Sequence, residues 1–368
     1  MLSLVRSYVE TQLAEQGSPR RLSDRIVAFD ASNRLIDGVC YLFFCDEDAA
    51  PAIIGKAART EIGKEIFDTE YDNLVALQAA GLNATRPAVP APLGRWVDGD
   101  SLITLQSALP GALMMNIPGS SLFDKAAVDE SMDQVFGWWS HFQRCFGVQR
   151  TVLVDTAYEA HVLRPIEVFR RRFVLDDEEL GFLERRYERD RVLHGAELPL
   201  MARHGDFCTA NMALDRGGVG VFDWEFPLDH RIPLFDLFFF IASVRFPFTG
   251  VMGESSHFES FLSVFWQDSF YRAAIRKRLH QACETFDVPR ELLADLLVLS
   301  LIDVANMKYD GLLQSHGAVD PSDGSPNEVK RAHWHSFERP DLDAPFACIH
   351  DGVFENLRLI VRRGLPEF

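Results

Sequence analysis

The residues whose types and spacing best suit them to chemistry lie between His204 and Asp236. The chain reads His-Gly-Asp-Phe-Cys-Thr-Ala-Asn over 204–211, then a short apolar run, then Phe-Asp-Trp-Glu over 222–225. The stretch from Val219 to Phe222, behind the Gly217-Gly218 turn, is predicted as a strand, so Asp206, Asn211 and Asp223 fall on a loop, a loop end and a strand end. Such ends gather into one pocket. Carboxylate and carbonyl oxygens are the ligands that Mg2+ prefers, and Mg2+ held by one or two carboxylates keeps room for phosphate oxygens. One aspartate is then left to act as a base.

This segment resembles the catalytic and metal-binding segments of the aminoglycoside phosphotransferase and choline kinase family, small-molecule relatives of the protein kinases. The resemblance implies that Asp206 receives the proton of an acceptor hydroxyl, that Asn211 holds one Mg2+, and that Asp223 holds the metals. It also makes His204 a structural residue tying the loop to the core. Arg231-Ile-Pro-Leu-Phe-Asp-Leu fits the same family, in which the aspartate, here Asp236, supports the catalytic loop.

Such a site needs elements that bring a nucleotide to it. From Leu2 to Gln16, apolar residues recur at helical spacing until Gly17-Ser18-Pro19 breaks the pattern. Arg25 to Phe29, Val39 to Cys45 and Ala52 to Ala58 read as strands of an antiparallel meander, and Pro92 to Val97 and Ser101 to Gln106 as two more. Between them, Phe67 to Ala80 is an amphipathic helix. The resemblance places Lys56, on the third strand, where the family's lysine meets nucleotide phosphates. Glu70 matches the helix glutamate that pairs with that lysine, with Glu61 and Glu65 as rivals. The turn from Asp30 to Gly38 stands where the family covers the phosphates, but it lacks Gly-x-Gly-x-x-Gly. Ser32, Asn33 and Arg34 are its candidates for phosphate contact, an exposed hairpin being the alternative. Past the fifth strand, Ser107 and Ala108 occupy the inter-lobe hinge, where the family's backbone binds the adenine edge.

Beyond Ser120 the chain turns helical, with Val128 to Cys145, Ala157 to Phe173, Glu178 to His194, Phe258 to Tyr271, Tyr271 to Phe286 and Arg290 to Leu313 as candidates. Asp303, Asn306 and Asp310 share one face of the last of these and are candidates for acceptor contact, a solvent-facing stripe being the alternative. Arg276-Lys277-Arg278 reads as solvated. Gln314 to Pro345 reads as a loop or lid and Phe346 to Val361 as a closing helix.

At 368 residues the chain is long for one core. The expected fold class is α+β, a two-lobed protein-kinase-like fold. A small antiparallel-sheet lobe with one helix (1–107) would bind the nucleotide, and a larger, mainly helical lobe (108–368) would carry catalysis and acceptor binding. A formal net charge of -17 opposes broad contact with nucleic acid or an anionic membrane and favours neutral or cationic partners. Six cysteines without paired spacing suggest neither a zinc site nor a disulfide framework, which fits the cytoplasm. No signal peptide or membrane helix is evident.

The expected activity is transfer of the gamma-phosphoryl group of ATP or GTP, with Mg2+, to a hydroxyl of a neutral or amine-bearing small molecule: an aminoglycoside, a sugar or an amino alcohol. Two other readings stay open: a metal-dependent phosphoesterase, and a non-catalytic nucleotide-binding protein of the same fold. The sequence does not disclose the oligomeric state.

Overall fold

Strand β1 (Leu22–Asp30), β2 (Gly38–Cys45), β3 (Ile53–Ala58), β4 (Pro92–Asp98) and β5 (Ser101–Ser107) form an antiparallel sheet in the order β1-β2-β3-β5-β4. Alternation along β3 decides what each face does. Ile53, Gly55 and Ala57 face helix α1 (Leu2–Glu15), whose Val5 and Val9 are fully buried among Tyr41, Phe43, Ile103 and Leu105. Tyr8 stacks on Trp96 with ring centroids 4.4 Å apart. Gly55 is required here, because a Cβ would stand 2.8 Å from a Val5 methyl. On the other face Ala58 and Leu102 pack against Phe67 of helix α2 (Glu61–Ala79). The Thr60 hydroxyl caps α2 by accepting from the Gly63 N–H at 3.2 Å. The computed structural model describes residues 2–15, 21–30, 38–46, 48–86, 88–114, 124–244, 257–316, 332–333 and 357–368. Ser32, Asn33 and Arg34, most of the 314–345 loop and the start of the expected closing helix lie outside them. Residues 357–363 are helical.

A second sheet, in the order β11-β10-β6, joins Ala112–Leu113 (β6), Met212–Asp215 (β10) and Gly218–Val221 (β11). Its pairing, together with the hydrogen bond from Val221 N–H to Ala88 O, ties the segment from Met212 to Val221 to the N-terminal part of the chain. Contacts accordingly group Met1–Asn116, Arg144–Phe146 and His204–Leu228 in one compact unit, and Ile117–Gln143, Gly147–Arg203 and Asp229–Phe368 in the other. The sequence-based boundary after Ser107 assigned 204–228 to the C-terminal part.

The second unit is mainly helical. It contains most of α3 (Lys125–Phe146), followed by α4 (Asp155–Tyr158), α5 (Arg164–Arg172), α6 (Asp177–Leu183), α7 (Phe235–Ser243), α8 (His257–Phe265), α9 (Phe270–Phe286) and α10 (Leu293–His316). Single π-helical stretches, Glu159–Leu163 and Glu184–Arg189, interrupt two helical runs that the sequence presents as continuous. A three-stranded sheet of β7 (Val148–Val152), β9 (Glu197–Ala202) and β12 (His230–Arg231), with β8 (Phe173–Val174) pairing elsewhere, was not foreseen. Trp138 and Trp139 are core residues.

Two surface expectations are overturned within this unit. Arg278 is not solvated: it is buried against Asp129 and Asp133, and its Nη1 donates to Ala274 O at 2.9 Å. Asn306 and Asp310 do not form a free polar stripe: Asn306 is buried, and Asp310, though half exposed, is paired. The Asn306 amide donates to Pro165 O at 2.9 Å, and Arg172 donates to Asp310 Oδ1 at 2.6 Å, so both residues fasten α10 to α5. Among the described residues no helix is long and apolar enough to cross a membrane.

Candidate active site

Strand β3 delivers Lys56 to the α2 face of the sheet, and the register sets Cys40 and Thr104 beside it. The Lys56 ammonium donates to Glu70 Oε1 at 2.8 Å and Oε2 at 2.6 Å, and to Asp223 Oδ1 at 3.2 Å. Burial works against the charge, but Glu70 and Asp223 outweigh it and hold the Lys56 pKa above its ordinary value. Burial raises the Glu70 pKa, and Lys56 offsets part of that rise. Gln106 is buried on the same face of the sheet. Neither Glu61 nor Glu65 takes this place; Glu61 pairs with Lys64.

The loop that carries Asp206 is built around a buried neutral imidazole. Asp206 N–H donates to His204 Nδ1 at 3.2 Å, so the ring proton is on Nε2, which donates to Phe222 O at 3.0 Å. Burial lowers the His204 pKa, in keeping with that neutral form. With both ring nitrogens committed and Trp224 edge-on at 4.4 Å, His204 braces the loop as the sequence suggested. Gly205 has φ +90°, and a Cβ there would collide with Phe226 at 2.9 Å. Asn211 ends a 3₁₀ turn, Thr209–Asn211, and its amide donates to Asp206 O at 3.0 Å and to Asp206 Oδ2 at 2.9 Å. Both donors are used on Asp206, which leaves the amide oxygen of Asn211 as its ligand atom.

Asp223 lies in the left-handed region, with φ +68°. That conformation costs a non-glycine residue about 1 kcal/mol or more, and neighbouring contacts must hold it. His204 grips the Phe222 carbonyl before it, and the Asn73 amide donates to the Trp224 and Phe226 carbonyls after it, each at 2.8 Å. Between those carbonyls stands Glu225, whose pKa is pushed up to about 8 by burial and then by Asp223 and Asp206. Carboxylates crowded to that degree fit a divalent cation. Asp223 and Glu225 carboxylates and the Asn211 amide are the hard oxygen donors that suit Mg2+. Among the described residues no three His, Cys, Asp or Glu side chains form a ready cage. The remaining positions around Mg2+ would fall to phosphate and water.

The structure thus joins Lys56, Glu70 and Asp223 directly, and Asp206 to Asn211, within one compact unit. The hinge residues are differently engaged. Ser107 N–H donates to Ala91 O and Ala108 N–H to Ala52 O, both at 2.9 Å, so neither can also donate to a purine. Leu109 N–H enters no hydrogen bond among the described residues. Asp236 is buried in the first turn of α7. Sequence reasoning passed over Glu225 and Asn73. The first was visible in the Asp-Trp-Glu motif, and the second as a polar residue on the apolar face of α2, one turn beyond Glu70.

The sequence model of the phosphotransferase enzyme family matches residues 65–277, more than half of the chain. No curated protein matches. Among solved structures, the chain is similar to an aminoglycoside phosphotransferase from Streptomyces rimosus in complex with ADP and streptomycin, with 14% identity, 82% of this chain and 97% of that one covered, and a TM-score of 0.43. An aminoglycoside-3'-phosphotransferase of type VIII gives 17% identity, 80% and 98% coverage and 0.44. A spectinomycin phosphotransferase in complex with ADP and spectinomycin gives 10% identity, 91% and 92% coverage and 0.39. The family match, over the segment that holds Glu70, Asp206, Asn211 and Asp223, says what this chain is: a member of the phosphotransferase enzyme family.

Proposed function

We propose that this protein transfers the gamma-phosphoryl group of ATP or GTP to a hydroxyl of a neutral or amine-bearing small molecule, such as an aminoglycoside, a sugar or an amino alcohol. The observation that carries the reading is the buried Lys56 ammonium held between Glu70 and Asp223. A nucleotide-dependent transferase needs such a cation for its triphosphate, whereas a phosphoesterase has no use for it. Lys56 would meet the phosphates, with Glu70 fixing its direction. Asn211 and Asp223, with Glu225 beside them, would hold Mg2+, which when bound neutralises charge on the phosphate oxygens. Asn211 turns the Asp206 carboxylate to orient the acceptor hydroxyl. Asp206 takes the hydroxyl proton as the new P–O bond forms and the bond to the nucleoside diphosphate breaks. Catalysis of this kind is mostly positioning and charge stabilisation. In the hinge, Ser107 and Ala108 would flank the base, and Leu109 N–H is the donor suited to its edge.

The acidic balance of the chain supports a neutral or amine-bearing acceptor over an anionic one. Asn306 does not count towards it, since it is buried and its amide is taken by Pro165 O. The cysteines Cys40, Cys45, Cys145, Cys208 and Cys283 are all free thiols, in keeping with a cytoplasmic enzyme. The test is a screen of aminoglycosides, amino alcohols and sugars that follows ADP or GDP release. A member of one of these classes should drive release, and Asp206→Asn should abolish it while nucleotide affinity stays within a few fold. Turnover near normal in that variant would remove Asp206 as the base. Release from phosphoesters with no acceptor present would favour hydrolysis instead.

A further inference from the structure

We infer that Asn73 is a positioning residue that fixes the metal-binding segment to the helix carrying Glu70. This rests on the proposed roles of Asp223 and Lys56. Asn73 is buried on α2 one turn after Glu70, so the two side chains share a face. Its single NH2 group supplies both of its hydrogens to the chain after Asp223: one to the Trp224 carbonyl and one to the Phe226 carbonyl, both at 2.8 Å. These two carbonyls bracket Glu225.

The stretch that Asn73 grips has no regular secondary structure of its own, since residues 222–225 run outside any helix or strand. Backbone carbonyls in such a segment have no ladder to satisfy them, and side chains must do so. The segment also contains the strained Asp223, with φ +68°. His204 restrains it on one side through Phe222 O, and Asn73 on the other. A second consequence runs through Phe226. Its side chain lies against the Cα of Gly205, close enough that a Cβ there would meet Phe226 Cβ at 2.9 Å. Asn73 therefore acts on both halves of the site, setting the direction of Asp223 through the main chain and bracing the Gly205-Asp206 turn through the Phe226 side chain. Because Glu70 is on the same helix, the Lys56 ammonium and the metal-binding oxygens are held in one rigid frame.

Isothermal calorimetry of ADP with and without Mg2+, together with steady-state kinetics on an acceptor found by the screen above, tests this. The comparison uses wild type, Asn73→Ala, Asn73→Gln and Leu77→Ala. Leu77 is a fully buried residue of the same helix with no bond to the metal segment, so its truncation reports plain loss of stability. Losing two hydrogen bonds, one buried and one partly buried, in Asn73→Ala should weaken Mg2+-dependent ADP affinity about tenfold, with Mg2+-free affinity and acceptor KM within about twofold. Asn73→Gln, which keeps both donors on a longer arm, should recover part of the loss. Leu77→Ala should lower the Tm and leave the Mg2+ dependence alone. If Asn73→Ala keeps the wild-type Mg2+ dependence, or if Leu77→Ala shifts it equally, Asn73 is merely structural and the inference is wrong. If wild type itself binds ADP identically with and without Mg2+, the metal reading falls, and this one with it.

Discussion

Removal of the Lys56–Glu70 pair separates what it does for the fold from what it does for the reaction. The Glu70 carboxylate is buried and takes both of its short hydrogen bonds, at 2.8 Å and 2.6 Å, from one ammonium. In Glu70→Ala that ammonium stays buried with Asp223, at 3.2 Å, as its remaining anionic contact. Taking one partner from a buried pair costs about 3–5 kcal/mol, roughly a fifth or more of the stability of an ordinary domain. The lysine would also turn wholly onto Asp223 and draw that carboxylate away from Mg2+. Replacing both residues at once, Lys56→Met with Glu70→Leu, removes the uncompensated charge, and substitutions of this kind are neutral or stabilising. Urea unfolding should therefore show a large loss for the single variant and near recovery for the double variant. Nucleoside diphosphate release should show no recovery, because no cation is left for the phosphates. A double variant that turns over within a few fold of wild type would refute the argument that Lys56 meets the nucleotide. A single variant that loses less than about 1 kcal/mol would refute the description of the pair as buried and mutually dependent.

Three further outcomes can be checked independently. Asp223→Ala should abolish the Mg2+ dependence of nucleotide affinity measured by calorimetry, and equal affinities with and without Mg2+ in both proteins would show that Asp223 is not a ligand. Gly55→Ala drives a methyl to 2.8 Å from Val5 and 3.1 Å from Leu105 and Phe43, an overpacking that should cost about 1–3 kcal/mol. Adding Val5→Ala should restore part of that loss in thermal unfolding, and no restoration would mean that α1 does not pack in this notch. Burial raises the Asp303 pKa, with Arg231 and Arg203 opposing the rise, so its ionisation disfavours the folded state. Stability should fall as pH rises from the unfolded value of about 3.9 through the higher folded value, and Asp303→Asn should flatten that slope.

What the sequence discloses and what it withholds divide along the range of the interactions involved. The strand alternation around Lys56, the helix carrying Glu70 and the His204–Asn211 motif are legible, because side-chain period and fixed spacing are local properties. His204 could be read as structural before its tautomer was known, because the resemblance to the family implies it, and the structure then commits both ring nitrogens to Asp206 and Phe222. Asn73 could not be read in this way. Its value depends on carbonyls 151 and 153 residues away, and a carbonyl carries no mark in the sequence of being in need of a donor. The same holds for Arg172 and Asp310, which are 138 residues apart and turned an expected polar stripe into a helix-to-helix fastening. It holds for Arg278 as well, a charged residue buried by two aspartates from another helix. The misjudged polar residues thus had distant partners. Ser107 and Ala108 make the converse case, since position alone suggested donors to a ligand and the neighbouring chain had already taken their amides. A buried polar side chain on an otherwise apolar face therefore points to a bonding obligation elsewhere, and in α2 the obligation beside Glu70 leads straight to the segment on which Mg2+ binding would depend.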